Sequence, residues 1–269
     1  MTTPLKDKHR AIWTSGNYAA VAADIIASLG PLLVEACGVR PGQRVLDVAA
    51  GTGNAAIPAA LTGADVTASD LTPALLEAGE RLAEEQGAKL AWAEADAEAL
   101  PFGDGEYDCV MSCVGVMFAP FHQAAADELV RVCRPGGAVG LISWTPNGFV
   151  GQLFGVMKPF APPPPPGAQP PPLWGDETHV RQLLGDRVTG VTARTQSVRV
   201  EVFGAADGFR EYFKRNYGPT LAVYEALRDD PTRTAELDAA LDELAGRFRA
   251  ADGSMEWEYL LLTATRAAG

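Results

Sequence analysis

Arg44-Val45-Leu46-Asp47-Val48-Ala49-Ala50-Gly51-Thr52-Gly53-Asn54 is a short apolar run interrupted by one carboxylate and ended by a glycine-rich turn, and Ala55-Ala56-Ile57 opens a helix behind it. The order is strand, turn, helix. A backbone turning directly off a strand visits positive φ, and missing side chains let a ligand lie against the main chain. An ordinary turn with no ligand is the plainer alternative. Gly51, Gly53 and Ala56 also satisfy the dinucleotide pattern G-x-G-x-x-A, so an NAD(P)-dependent oxidoreductase is one reading. Asp47 argues against it, because a carboxylate at the strand end crowds a pyrophosphate and suits a cofactor that carries a cation.

Outward from this turn the chain alternates. Strands are expected over 44–48, 64–69, 89–93, 109–113 and 138–143, with helices over 54–61, 74–86 and 123–133 between them. Thr72 is placed as the N-cap of the helix that Pro73 begins. Strand–helix alternation of this kind gives a parallel sheet with helices on both faces, and ligands of such sheets bind at the carboxyl ends of the strands. Ahead of the sheet, residues 5–38 read as helical, broken at Gly30-Pro31. Behind it come a helix from Phe149, a proline-rich connection over 159–172 read as a surface spacer, and a helix over 177–184 capped by Asp176. Segments 188–203 and 255–265 alternate as sixth and seventh strands. Between them Phe209, Tyr212, Phe213 and Tyr217, then Leu237, Leu241, Leu244 and Phe248, repeat at helical spacing.

The chain has 269 residues and a formal net charge of −12. That length suits one α/β domain with an insertion, and that charge opposes a surface that tracks nucleic-acid phosphates. A small molecule is the expected partner, with neither nucleic acid nor membrane. No apolar run follows Met1, and the apolar passage over 109–121 is too short and too interrupted to span a bilayer, so the expected location is the cytoplasm. Cys37, Cys109, Cys113 and Cys133 form no metal-ligand spacing and read as reduced thiols.

Asp47, Asp70 and Asp96 fall where the first three strands end, so they describe one surface. The two oxygens of Asp70 match a vicinal diol, and Asp96 with the Ala97 amide matches an adenine edge. Asp47 remains for a cationic end. These residues sit in Val45-Leu46-Asp47-Val48-Ala49-Ala50-Gly51-Thr52-Gly53, Ala68-Ser69-Asp70, Ala95-Asp96-Ala97-Glu98-Ala99-Leu100-Pro101-Phe102, Tyr107-Asp108-Cys109-Val110 and Leu129-Val130-Arg131-Val132-Cys133-Arg134-Pro135-Gly136-Gly137. In that order, over about residues 40–145, the motifs resemble class I S-adenosylmethionine-dependent methyltransferases, specifically the type 11, ubiquinone/menaquinone-biosynthesis-like branch.

The resemblance implies a Rossmann-like α/β fold: a seven-stranded, mostly parallel sheet with an antiparallel last strand, N-terminal helices, and a helical insertion between strands six and seven. It implies S-adenosyl-L-methionine as cofactor and a small-molecule methyl acceptor. Ala49, Ala50 and Gly51 then contact the methionine part, Asp70 the ribose, Asp96 and Ala97 the adenine, and Cys113 the amino-acid end through its backbone, with Leu71 also among the cofactor-binding residues. Trp13, Gly16 and Tyr18 resemble the helix that closes over the cofactor. The expected division is a helical lid over 1–38, a cofactor-binding core over 39–146, a connection over 147–187, and the last strands over 188–269 with a cap over 204–252.

Two positions depart from the family pattern. Ala49 replaces a glycine, which is tolerable if its φ stays negative. Met117-Phe118 stands where relatives carry a histidine pair or His-Trp, which leaves His122 as the candidate catalytic base. A regulatory protein that keeps the cofactor pocket without catalysis is the remaining alternative.

Overall fold

Val45, Leu46 and Val48 are fully buried, as a central strand covered on both faces requires. In the computed structural model, which describes residues 4–204 and 208–268, they belong to β1 (Arg44–Val48). Residues 1–3, 205–207 and 269, which fall at the start of the expected lid, inside the expected insertion and at the C-terminus, lie outside the described residues. Parallel to β1 run β2 (Asp65–Asp70) on one side and β4 (Tyr107–Cys113) on the other. β3 (Ala91–Glu94) continues beyond β2, and β5 (Cys133–Trp144) beyond β4. β7 (Met255–Arg266) inserts antiparallel between β5 and β6 (Val188–Val200). The seven-stranded order is β3-β2-β1-β4-β5-β7-β6, so the strand order reverses between β1 and β4. A crevice opens at such a reversal, outside the carboxyl ends of the strands.

The sheet is flanked by α4 (Ala56–Leu61), α5 (Pro73–Glu85), α6 (His122–Val132), α7 (Phe149–Met157) and α8 (Glu177–Leu184). The insertion between β6 and β7 carries α9 (Gly208–Asn216), α10 (Gly218–Ala226) and α11 (Pro231–Phe248). Its aromatic stripe is core. Phe209 packs edge-on to Phe149 at 4.8 Å, and Phe149 stacks on Trp257 of β7 at 4.8 Å. Burying such rings supplies both area and geometric preference. Among the described residues no single helix is long and apolar enough to cross a membrane.

The N-terminal segment is less continuous than its periodicity predicts. It forms α1 (Pro4–Thr14), α2 (Tyr18–Val21), a π-helical turn (Ala22–Ile26) and α3 (Leu29–Ala36). Gly30-Pro31 lies inside the first turn of α3 instead of breaking the helix, because the first N–H groups of a helix have no partner to lose. Gly16 marks the real break: a Cβ there would lie 2.2 Å from the Asn216 carbonyl oxygen at the end of α9.

Two other boundaries differ. β5 begins at Cys133, five residues before the expected start at 138, since Tyr107 pairs with Cys133 and the register shifts before Cys109 meets Ala138. Gly136, at φ +73°, lets the chain bulge there without leaving the ladder. Thr72 precedes Pro73 in extended geometry, but its side chain does not cap α5.

Gly30 also fixes how the N-terminal helices meet the turn after β1, for a Cβ there would fall 1.8 Å from the Asn54 carbonyl oxygen. Gly30→Ala is expected to cost about 1–3 kcal/mol through forced displacement of backbone. Thermal denaturation should show a lowered midpoint, and an unchanged one would contradict the contact.

Candidate functional site

The turn after β1 is held in a strained shape. Ala49, Gly51 and Gly53 all have positive φ, at +54°, +57° and +85°. The condition of negative φ at Ala49, under which the replacement of glycine carries no strain, is therefore not met. The turn after β4 packs against it: a Cβ on Gly115 would lie 2.1 Å from the Ala49 carbonyl oxygen, so the two turns are in backbone contact. Val114, beside it, is also left-handed at φ +56°, a true outlier for a β-branched residue. Each such residue stores about 1–3 kcal/mol, held by its surroundings. Ser112 supplies part of that hold, donating to the Val48 carbonyl at 2.6 Å and accepting the Val116 amide at 2.8 Å.

Asp70 ties the tip of β2 to this turn. Its Oδ2 accepts the Gly51 amide at 2.9 Å and its Oδ1 the Thr72 amide at 2.8 Å. Burial raises its pKa, while the Thr72 and Gly51 amides favour the ionised form.

A cavity opens over the β1–β4 reversal. Tyr18, Ala49, Gly51 and Asp70 line it, and Leu71, Asp96 and Ala97 continue the wall along the tips of β2 and β3. Asp47, Ala50, Cys113 and His122 are not in its lining.

Asp47 lies behind the turn, 1% exposed, and neither carboxylate oxygen has a hydrogen-bond partner. Burial pushes its pKa up to about 8, the Ala56 amide opposing and the Asp70 charge adding to the rise. Cys113 is buried beside it and receives the Asn54 amide at 3.6 Å; its neighbour Val114 reaches the cavity instead. Burial raises the Cys113 pKa, with Asp47 contributing.

His122 begins α6 with its ring fully buried. It faces His179 at 3.0 Å between Nδ1 and Nε2 and sits 5.5 Å from the Trp174 ring, while its own Nε2 has no partner. Burial and the facing His179 take its pKa down to about 4. The expected place for it at the cavity wall is not what the structure gives, and it cannot reach a molecule held there.

The sequence reading missed Lys6, His9 and Arg10. Lys6 and His9 line the cavity from α1. Lys6 Nζ bonds Asp96 Oδ1 at 2.8 Å and Glu98 Oε2 at 2.6 Å, and Glu98 Oε1 accepts the Phe121 amide at 2.8 Å. Arg10 Nε bonds the Leu71 carbonyl at 2.8 Å, and its guanidinium pairs with Glu94. Burial lowers the His9 pKa, and the Lys6 charge lowers it further. The available signal was Lys6 and Arg10 at i, i+4, one cationic face in a strongly acidic chain. Trp13 completes the closure, edge-on to Tyr18 at 5.4 Å and to Phe118 at 4.7 Å. Among the described residues no cluster of His, Cys, Asp or Glu could hold a metal ion.

A family model described as "Methyltransferase domain" matches residues 45–137. Uncharacterized protein Rv1405c of Mycobacterium tuberculosis is 52% identical over 258 residues, covering 96% of this chain and 94% of its own. Demethylmenaquinone methyltransferase of Renibacterium salmoninarum is 42% identical over 106 residues, 39% of this chain and 43% of that protein. Among solved structures, the YcgJ protein of Bacillus subtilis superposes with a TM-score of 0.59 at 18% identity, over 88% of this chain and 97% of that one. That likeness is one of fold.

Two outcomes follow from the site's electrostatics. Asp47 holds its proton more tightly folded than unfolded, so the native state binds the extra proton between the ordinary carboxylate range and about pH 8, and stability falls as pH rises through that window. Asp47→Asn should therefore melt above wild type at pH 9 and with it at pH 4; equal melting at both would show that the carboxylate is not destabilised. Lys6→Ala should free α1, costing about 1–3 kcal/mol locally. Hydrogen exchange across α1 should speed up, and unchanged exchange would show that the ion pairs do not hold the helix.

Proposed function

The chain belongs to the class I S-adenosylmethionine-dependent methyltransferases, and from that premise we propose that it methylates an oxygen, nitrogen or carbon atom of a small, partly apolar molecule in the cytoplasm. The observation that carries the site assignment is the convergence of Gly51, Asp70, Asp96 and Ala97 on one cavity at the reversal of strand order. When bound, S-adenosylmethionine supplies a methyl group made electrophilic by its sulfonium and leaves as a neutral thioether.

The residues present fit that cofactor. Asp70 uses one lone pair of each oxygen on a backbone amide, which orients the carboxylate and leaves the others for the two ribose hydroxyls. Leu71 packs beside the sugar. Asp96 accepts Lys6 and the Glu98 amide through Oδ1, and its Oδ2 is left for the adenine amino group, with the Ala97 amide serving the ring nitrogen. Ala49 and Gly51 present main chain to the methionine part, and Ala50 holds the turn by donating to the Ser69 carbonyl at 2.9 Å. Asp47, buried without a partner behind that turn, ionises more readily beside a cation and stays protonated beside a pyrophosphate, which favours the cofactor's cationic end. Cys113 acts through Val114, whose left-handed backbone brings the strand tip to the cavity.

Tyr18 closes the near side. A Cβ on Gly51 would lie 3.1 Å from its ring, so the ring covers the turn and excludes water from the reacting centre. No base is assigned: a nucleophile held in line with the S–CH₃ bond reacts by positioning, and His122 is sealed behind Trp174. The acidic surface and the enclosed cavity favour a small acceptor over nucleic acid.

Calorimetric titration with S-adenosylhomocysteine tests the assignment. Asp70→Ala should weaken binding by about 2 kcal/mol, the worth of charge-assisted hydrogen bonds to the ribose. Equal affinity in wild type and variant would place the ribose elsewhere.

A further inference from the structure

A second, smaller cavity adjoins the first, and Tyr18, Val114 and Phe118 line both. These three side chains form the partition between them. The second cavity lies over the tips of β4, β5 and β7, where Trp144 and Trp257 form its floor. Val21, Ile25 and Ile26 close it from the N-terminal helices, Val150 from α7, and Phe213 and Tyr217 from the insertion. Apart from the shared partition, it is therefore assembled from residues that the first cavity does not use.

None of its lining side chains carries a charge. The cationic residues of the first cavity do not extend to it: Lys6 is occupied by Asp96 and Glu98, and neither Lys6 nor His9 reaches this lining. Its polar atoms are two phenols and two indole N–H groups. Among the described residues neither the Tyr18 nor the Tyr217 phenol makes a hydrogen bond, and burial keeps both un-ionised. Trp257 is 2% exposed, sandwiched between Phe149 and Phe203, and its Nε1 is buried without a partner.

Such a wall has two chemical consequences. An anionic group entering it would shed its hydration and find no counter-charge, which is strongly unfavourable. Donors left without acceptors carry a penalty that a ligand oxygen removes. Flat rings suit the aromatic surfaces of Trp144 and Phe213.

We propose that this second cavity is the methyl-acceptor site and that it selects an uncharged, ring-containing molecule bearing an oxygen acceptor, rejecting molecules that carry a carboxylate or phosphate group. The assignment rests on the methyl-transfer reading above and specifies the class of its substrate. Tyr18, on both walls, then flanks the place where the methyl donor and the ring would meet. Val150 belongs to the acceptor wall alone, which separates the two sites experimentally.

The test uses the full chain saturated with S-adenosylhomocysteine and reads tryptophan fluorescence on titration with 2-naphthol, naphthalene and 6-hydroxy-2-naphthoate. 2-Naphthol should bind saturably and at least about tenfold more tightly than the carboxylate. Val150→Phe should weaken 2-naphthol about tenfold or more by filling the cavity, while S-adenosylhomocysteine affinity stays within about twofold. Tyr217→Phe keeps the ring and removes a donor of this wall, so it should weaken 2-naphthol more than naphthalene; it carries the test if Val150→Phe does not fold. Equal binding of naphthol and naphthoate, no saturable binding of naphthol, or indifference of a folded Val150→Phe to naphthol would overturn the proposal. Absence of S-adenosylhomocysteine binding to wild type would remove the methyl-transfer reading and the acceptor assignment with it. Cofactor binding without naphthol binding removes the acceptor assignment alone.

Discussion

The Asp70 carboxylate, bonded to the Gly51 amide on one oxygen and the Thr72 amide on the other, joins two strand tips that sequence separates. The glycine turn after β1 could adopt many shapes by itself. Tied to Asp70 at one side and pressed by Gly115 at the other, it has one, and that shape includes left-handed backbone at Ala49. The strain at Ala49 and Val114 is thus the cost of bringing two main-chain turns together at the reversal of strand order, where a ligand can meet both.

Charge is distributed around this junction in two layers. Behind the turn, Asp47 is buried without a partner and gives up stability to remain there. In front, α1 brings Lys6 and Arg10 onto acidic groups beyond β3 and a carbonyl beyond β2. The front layer is neutralised by its own ion pairs and serves to hold the helix over the cavity. The rear layer keeps its proton up to about pH 8, and a cationic ligand in front of it favours the ionised form where an anionic one opposes it. Farther on, the second cavity carries no charge at all. The molecule therefore presents one cavity with charged groups in its lining and one without, and Tyr18 stands on the wall of both.

Much of the architecture was legible because parallel sheets announce themselves: apolar runs ended by glycine or aspartate, spaced by helices. Asp70, Asp96, Ala97 and Gly51 could be grouped before any coordinates, since the tips of neighbouring parallel strands share one edge. The backbone of Ala49 was not legible, because alanine carries no signal for left-handed geometry and the pressure comes from Gly115, 66 positions away. His122 misled for a related reason. Its position after the β4 turn suggested the site, but α6 directs the ring beneath Trp174 and against His179, residues whose arrival there is a matter of tertiary packing. Lys6 and Arg10 showed their shared face in sequence, yet their acidic partners lie more than eighty residues on, beyond what spacing can reveal.

The central claim is that the cavity over the β1–β4 reversal is built for one nucleoside carrying a cationic chain, with Asp70 as its anchor. A crystal structure with S-adenosylhomocysteine tests it most directly. The account predicts ribose hydroxyls on Asp70, adenine between Asp96 and Ala97, and sulfur on the side of Tyr18 that faces the apolar cavity. Density for the nucleoside on any other part of the sheet, or a ribose out of reach of Asp70, would contradict it.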